Sequence, residues 1–186
     1  MIERIDEFIG RAFKTAVEHG FHDEKTSLSH QMMLVIGEIG ECVEADRKGR
    51  SGGFGMFDDA FRTQPFEYCF ETYIKDTMED EMADICIRLF DMCGYFKIKP
   101  KVSLVNEDDW NAIFGGYDFC EIGYALVQLL CESYDDCKLG ELEKIFGSAL
   151  YFLHFWAKSL NFDLALHIDL KMKYNEGRAY KHGKKY

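Results

Sequence analysis

A helix that is apolar nearly all round has to be buried, and residues 32–43, MMLVIGEIGECV, form such a stretch with two glutamates inside it. Glu38 and Glu41 are three apart, so their carboxylates lie on one face, one turn from each other. Two carboxylates in a buried helix do not stay charged and close without a cation between them. The pattern returns at Glu81-Met82-Ala83-Asp84, which runs directly into Ile85-Cys86-Ile87-Arg88-Leu89-Phe90. Pairing the two helices antiparallel would bring four carboxylates together. Oxygen donors of that kind suit a hard cation such as Mg²⁺ or Mn²⁺. A Mg²⁺ held by carboxylates fills its coordination with waters and substrate phosphates, which points to phosphate-ester or phosphoanhydride chemistry. Alone, ExxE and ExxD are ordinary solvated helix faces; here each pair abuts a strongly apolar run.

The rest of the text is helical as well. Only Pro65 and Pro100 break the chain, and 47% of the 186 residues are hydrophobic, enough for one ordinary domain spanning 1–186. We expect an all-α bundle of about five or six helices. Apolar residues at helical spacing give a helix over 2–18. Ser29 is the expected N-cap of a second, from His30 to Lys48. A third fills about 67–97 with a break near Asp76–Thr77, and three more fit at 118–134, 141–160 and 162–181. Residues 50–65, rich in glycine and aperiodic, read as a loop or lid, and 101–117 as irregular. Glu38-Ile39-Gly40 is echoed at Glu121-Ile122-Gly123, with Tyr124 where Glu41 would be and Ser148 where Asp84 would be. A degenerate repeat of the helical hairpin at 118–160 explains this, and so do two amphipathic hairpins with similar packing needs.

Twenty-two basic against 33 acidic residues give a net charge of −11, which lacks the basic footprint of a general nucleic-acid binder. The seven cysteines are odd in number, form no CxxC and sit mostly in apolar helical text, as reduced core residues do. The first residues, Met1-Ile2-Glu3-Arg4-Ile5-Asp6, are charged, unlike a signal peptide. The longest apolar stretch, around Leu150–Ala157, is interrupted by His154 and too short to span a bilayer. A cytoplasmic protein without membrane contact is the expectation.

Near the C-terminus Lys171, Tyr174 with Asn175, Arg178 and His182 recur at helical spacing, followed by Lys184. Lysine offers a point charge and arginine a planar fork for phosphate oxygens. The plainer reading is a charged terminal helix whose cations offset its dipole. No Glu-x-x-His, Walker-type loop or nucleophile motif is present. His22-Asp23 spells the HD dipeptide of metal phosphohydrolases without its companion residues.

Together these segments resemble the MazG-like, all-α nucleoside triphosphate pyrophosphohydrolases, whose signature is ExxE followed by ExxD. The likeness covers about 19–49, 71–98 and 160–186. It implies a MazG-like four-helix core completed by self-association into a homodimer or homotetramer. It also implies Mg²⁺-dependent hydrolysis of a nucleoside triphosphate, of the deoxy- or non-standard kind, to the monophosphate and pyrophosphate. Glu38, Glu41, Glu81 and Asp84 would be the catalytic metal ligands, with Glu44 or Asp91 orienting a water. Lys171, Asn175, Arg178 and Lys184 would steady phosphates or sugar, Tyr174 would stack on or hydrogen-bond the nucleotide, and His182 belongs to the same motif. Ala179 replaces a frequent proline and His22 a frequent tryptophan, while the length of 101–160 is similar to the dimeric dUTPase-like relatives. A catalytically silent nucleotide- or metal-binding regulatory protein, or a plain helical interaction module, are the other classes that fit.

Overall fold

The structure, a computed structural model, describes residues 1–101 and 114–183, apart from the side chains of 181 and 182. Most of the stretch expected to be irregular, 101–117, lies outside the described residues. Everything regular among them is helical: a 3-10 turn Ile2–Arg4, then α1 (Ile5–Glu18), α2 (Leu28–Arg47), α3 (Phe54–Phe61), α4 (Phe66–Tyr73), α5 (Met78–Phe96), α6 (Phe119–Leu130), α7 (Leu139–Ser159), α8 (Leu164–Glu176) and a 3-10 turn Tyr180–Gly183.

The described α-helices exceed the five or six expected, for two local reasons. The supposed loop 50–65 contains α3, because Phe54, Phe57 and Phe61 fall on one helical face and stack in sequence, with centroids 6.0 and 5.6 Å apart. Phe57 is buried against Phe66, Cys69, Phe70 and Ile74, a small apolar cluster of its own. The long 67–97 segment divides at the expected place, since Asp76 has a left-handed φ of 60° and Thr77 caps α5 by accepting the N–H of Asp80. The cap of α2 is Ser27, whose hydroxyl accepts the His30 N–H at 3.1 Å. Ser29 instead donates its backbone and hydroxyl hydrogens to Asp135, 2.9 Å away in each case.

Helix α5 is the centre of the molecule and packs mainly on α2, α1 and α8. Its Ile85, Cys86, Leu89 and Phe90 are wholly buried, each large apolar side chain contributing about 1.5–3 kcal/mol. Phe8 of α1 stacks on Phe90 at 5.5 Å. Helices α2 and α5 run in opposite directions: Cys42 lies beside the Met78 carbonyl at the start of α5, and Glu38, one turn earlier in α2, meets Arg88 further along α5. Helix α8 is tied to the N-terminal segment by Asp169, which accepts from Arg4 at 2.7 Å and from Arg11 at 2.5 Å. It ends at Glu176 rather than near 181, so Arg178 leaves the helical face that its spacing suggested.

In α6, Glu121 closes a capping box with Asp118, so the counterpart of Glu38 in the echo is a helix cap. Gly147 lets α7 pass close to the chain at Lys101, where a Cβ would run into the Lys101 carbonyl. All seven cysteines are free thiols, and Cys42, Cys69, Cys86 and Cys93 are buried. Among the described residues no helix is long and apolar enough to cross a membrane.

Candidate cation and ligand site

Glu38 and Glu41 project from α2 and Glu81 from the first turn of α5. Their carboxylate oxygens come within 4.8 Å of one another. Glu38 and Glu81 are buried, and Glu41 is exposed at the edge. Burial first, then the charge of Asp84, pushes the Glu81 carboxyl up to about 8. Burial also raises Glu38, against the opposing pull of Arg88, whose Nε donates to Glu38 Oε1 at 2.5 Å. A cation placed between the two would oppose that effect of burial by favouring their charged forms. The donor set is all carboxylate, with no imidazole or thiol, and so fits a hard cation of the Mg²⁺ or Mn²⁺ type.

Asp84, the fourth expected ligand, is one turn further along α5 and does not join that trio. Lys171 Nζ reaches across from α8 and sits 2.7 Å from Asp84 Oδ2 and 2.8 Å from Asp80 Oδ2. Lys171 was expected to meet substrate phosphate; it is instead 5% exposed and spent on two aspartates. Burial works against its charge, but Asp84 and Asp80 outweigh it and hold the ammonium above the usual lysine range. Asp80 is fully buried, is pushed up to about 6 by desolvation despite Lys171, and leaves Oδ1 without a hydrogen-bond partner.

Glu38, Asp84 and Arg88 are among the residues that line a cavity of about 140 Å³ between α1, α2, α5 and α8, room for about five waters. Its apolar wall includes Phe21, Leu34, Ile87, Met92 and Met172. His22 and Asp91 line it as a pair: His22 Nε2 lies 2.7 Å from Asp91 Oδ1, and the imidazole stacks on Tyr95 at 4.5 Å. Burial raises the Asp91 carboxyl, with the His22 hydrogen bond opposing. Asp91, expected to orient a water, is therefore engaged with His22.

Of the C-terminal residues, Asn175 and Arg178 line the cavity, and Arg178 donates to Asn175 Oδ1 at 3.4 Å. Tyr174 faces away from it, because its ring stacks on Phe70 at 4.4 Å and its hydroxyl donates to Glu71 at 2.8 Å. Glu44 is also off the site, paired on the α2 surface with Lys48 at 2.9 Å and Arg47 at 3.0 Å. The His182 side chain and Lys184 lie outside the described residues.

Arg88 and His22 are among the cavity residues that sequence reasoning left without a role there, with Thr26, His30 and Gln31. Arg88 had a readable signal, since a lone cation in the run Ile85–Phe90 must find an acidic partner. His22 was marked in the sequence only by the HD dipeptide and by standing where the resembled family often has tryptophan. No protein-family model matches the chain, and no curated protein or solved structure matches it either.

Proposed function

We propose that this protein is a Mg²⁺-dependent nucleoside triphosphate pyrophosphohydrolase, with Mn²⁺ as the alternative cation. One observation carries the reading: Glu38 belongs at once to the carboxylate trio and to the cavity wall. A molecule filling the cavity would meet a cation held by Glu38, Glu41 and Glu81. Bound there, Mg²⁺ would neutralise phosphate charge and make an attacking water more acidic. The protein's own groups do the positioning. Arg178 and Asn175 would donate to phosphate or sugar oxygens, and the apolar wall from Phe21 to Met172 would shelter a base from water. His22, held by Asp91, would border that base. Asp84 would act through its charge on Glu81 rather than as a free ligand, because Lys171 occupies it.

The silent regulatory alternative has that same ion pair on its side, since Lys171 already neutralises the fourth carboxylate. The family likeness carries the expectation of a homodimer or homotetramer, which light scattering measures directly. The decisive experiment is a screen of pyrophosphate release from common and damaged triphosphates with Mg²⁺. Release with at least one substrate, lost in Glu41→Gln, supports the enzyme. Mg²⁺-dependent binding without release favours the regulator, and absence of both sinks the reading altogether.

A further inference from the structure

Glu38 is 6% exposed, so its charge needs a partner at all times. In the structure that partner is Arg88, the residue whose Nε donates to it. The arginine side chain is 29% exposed and lines the cavity. Among the described residues its two terminal nitrogens have no hydrogen-bond partner, and Glu38 is its one ion pair within 4.0 Å. A divalent cation approaching Glu38, Glu41 and Glu81 therefore meets a carboxylate already neutralised and a positive guanidinium beside it. Both effects oppose its binding.

We propose that Arg88 is an internal counter-ion that the cation displaces from Glu38, and that the released guanidinium then takes a phosphate oxygen of the ligand in the cavity. This rests on reading the carboxylate trio as a cation site. The planar fork matches phosphate geometry, which a compact ammonium does not. Arg88 thereby makes cation and polyphosphate binding favour each other, since each relieves what the other would leave unpaired. Without polyphosphate, the cation must strip Arg88 of its ion pair with Glu38; with it, the guanidinium has somewhere to go.

The test uses the cation alone before any turnover. Mg²⁺ is titrated by calorimetry into wild type, Arg88→Met and Arg88→Lys, and inorganic triphosphate is then titrated at saturating Mg²⁺. Arg88→Met should bind Mg²⁺ about tenfold more tightly, the low end of what one neighbouring charge does to a carboxylate. Arg88→Lys keeps the charge and should stay within about threefold of wild type. Both variants should bind inorganic triphosphate about tenfold more weakly for want of the fork. Equal Mg²⁺ affinity in wild type and Arg88→Met overturns the displacement. Unchanged triphosphate affinity in Arg88→Lys overturns the phosphate contact, and this arm decides the matter alone if the Met variant does not fold. Failure of wild type to bind Mg²⁺ at all sinks the cation site itself, a result distinct from either.

Discussion

Glu81→Gln, with metal chelated, should make the protein more stable, and by an amount that depends on pH. Glu81 is 5% exposed and its carboxyl sits at about 8 in the fold, against about 4.3 in an unfolded chain. Between those values the folded state binds the extra proton, so stability falls as pH rises. Each pH unit in that window costs about 1.4 kcal/mol. Solvent at the Glu41 edge of the trio screens part of this, leaving a total of about 2–3 kcal/mol. Glutamine keeps the volume, carries no charge, and offers an amide that can donate to Glu38 or Glu41. At pH 8 in EDTA the variant should therefore melt roughly 5–10 °C above wild type for a chain of this size. The advantage should shrink as pH falls and vanish near pH 4, where Glu81 is protonated in both states. At the proposed cation site, added Mg²⁺ should raise wild type more than the variant, because it would bind only the fold and would lose one ligand in the variant. Thermal unfolding across pH 4–8.5, with EDTA and then Mg²⁺, measures all of this. A variant that melts at or below wild type at pH 8, or a difference that ignores pH, would refute the electrostatic account of the site.

Three further outcomes follow from particular contacts. Lys171→Met strands the fully buried Asp80 without its counter-charge and should cost about 3–5 kcal/mol in denaturant unfolding; adding Asp80→Asn should recover much of that. Gly147→Ala drives a Cβ into the Lys101 carbonyl and should cost about 1–3 kcal/mol, whereas Gly140→Ala, on the same helix with open space around it, should be neutral or slightly stabilising. Asp91→Asn removes the carboxylate that orients His22 and should weaken a nucleoside triphosphate by roughly tenfold, the loss of one charge-assisted hydrogen bond, while leaving inorganic triphosphate unaffected; equal loss for both probes would place His22 outside base recognition.

The spacing of the two acidic pairs was legible in the chain because helical geometry fixes which side chains share a face. The burial expected all round 32–43 holds for one face only: Met33 is 62% exposed and Glu41 is exposed as well, whereas Glu38 and Glu81 are buried. The all-helical class and the break at Asp76–Thr77 followed from the same local rules. The α3 helix was missed although Phe54, Phe57 and Phe61 stood at helical spacing, because Gly52, Gly53 and Gly55 around them read as loop. The C-terminal face was overextended for the opposite reason: its spacing continues past Gly177, but the helix ends at Glu176. What the chain alone determined is which residues are acidic and which are neighbours along one helix. Only the tertiary structure decided how those charges are divided. Lys171 from α8 claims Asp80 and Asp84, Arg88 claims Glu38, and Glu41 and Glu81 complete the trio. That division depends on which side chains meet across 50 to 91 residues of chain, and the spacing along any single helix carries no information about it.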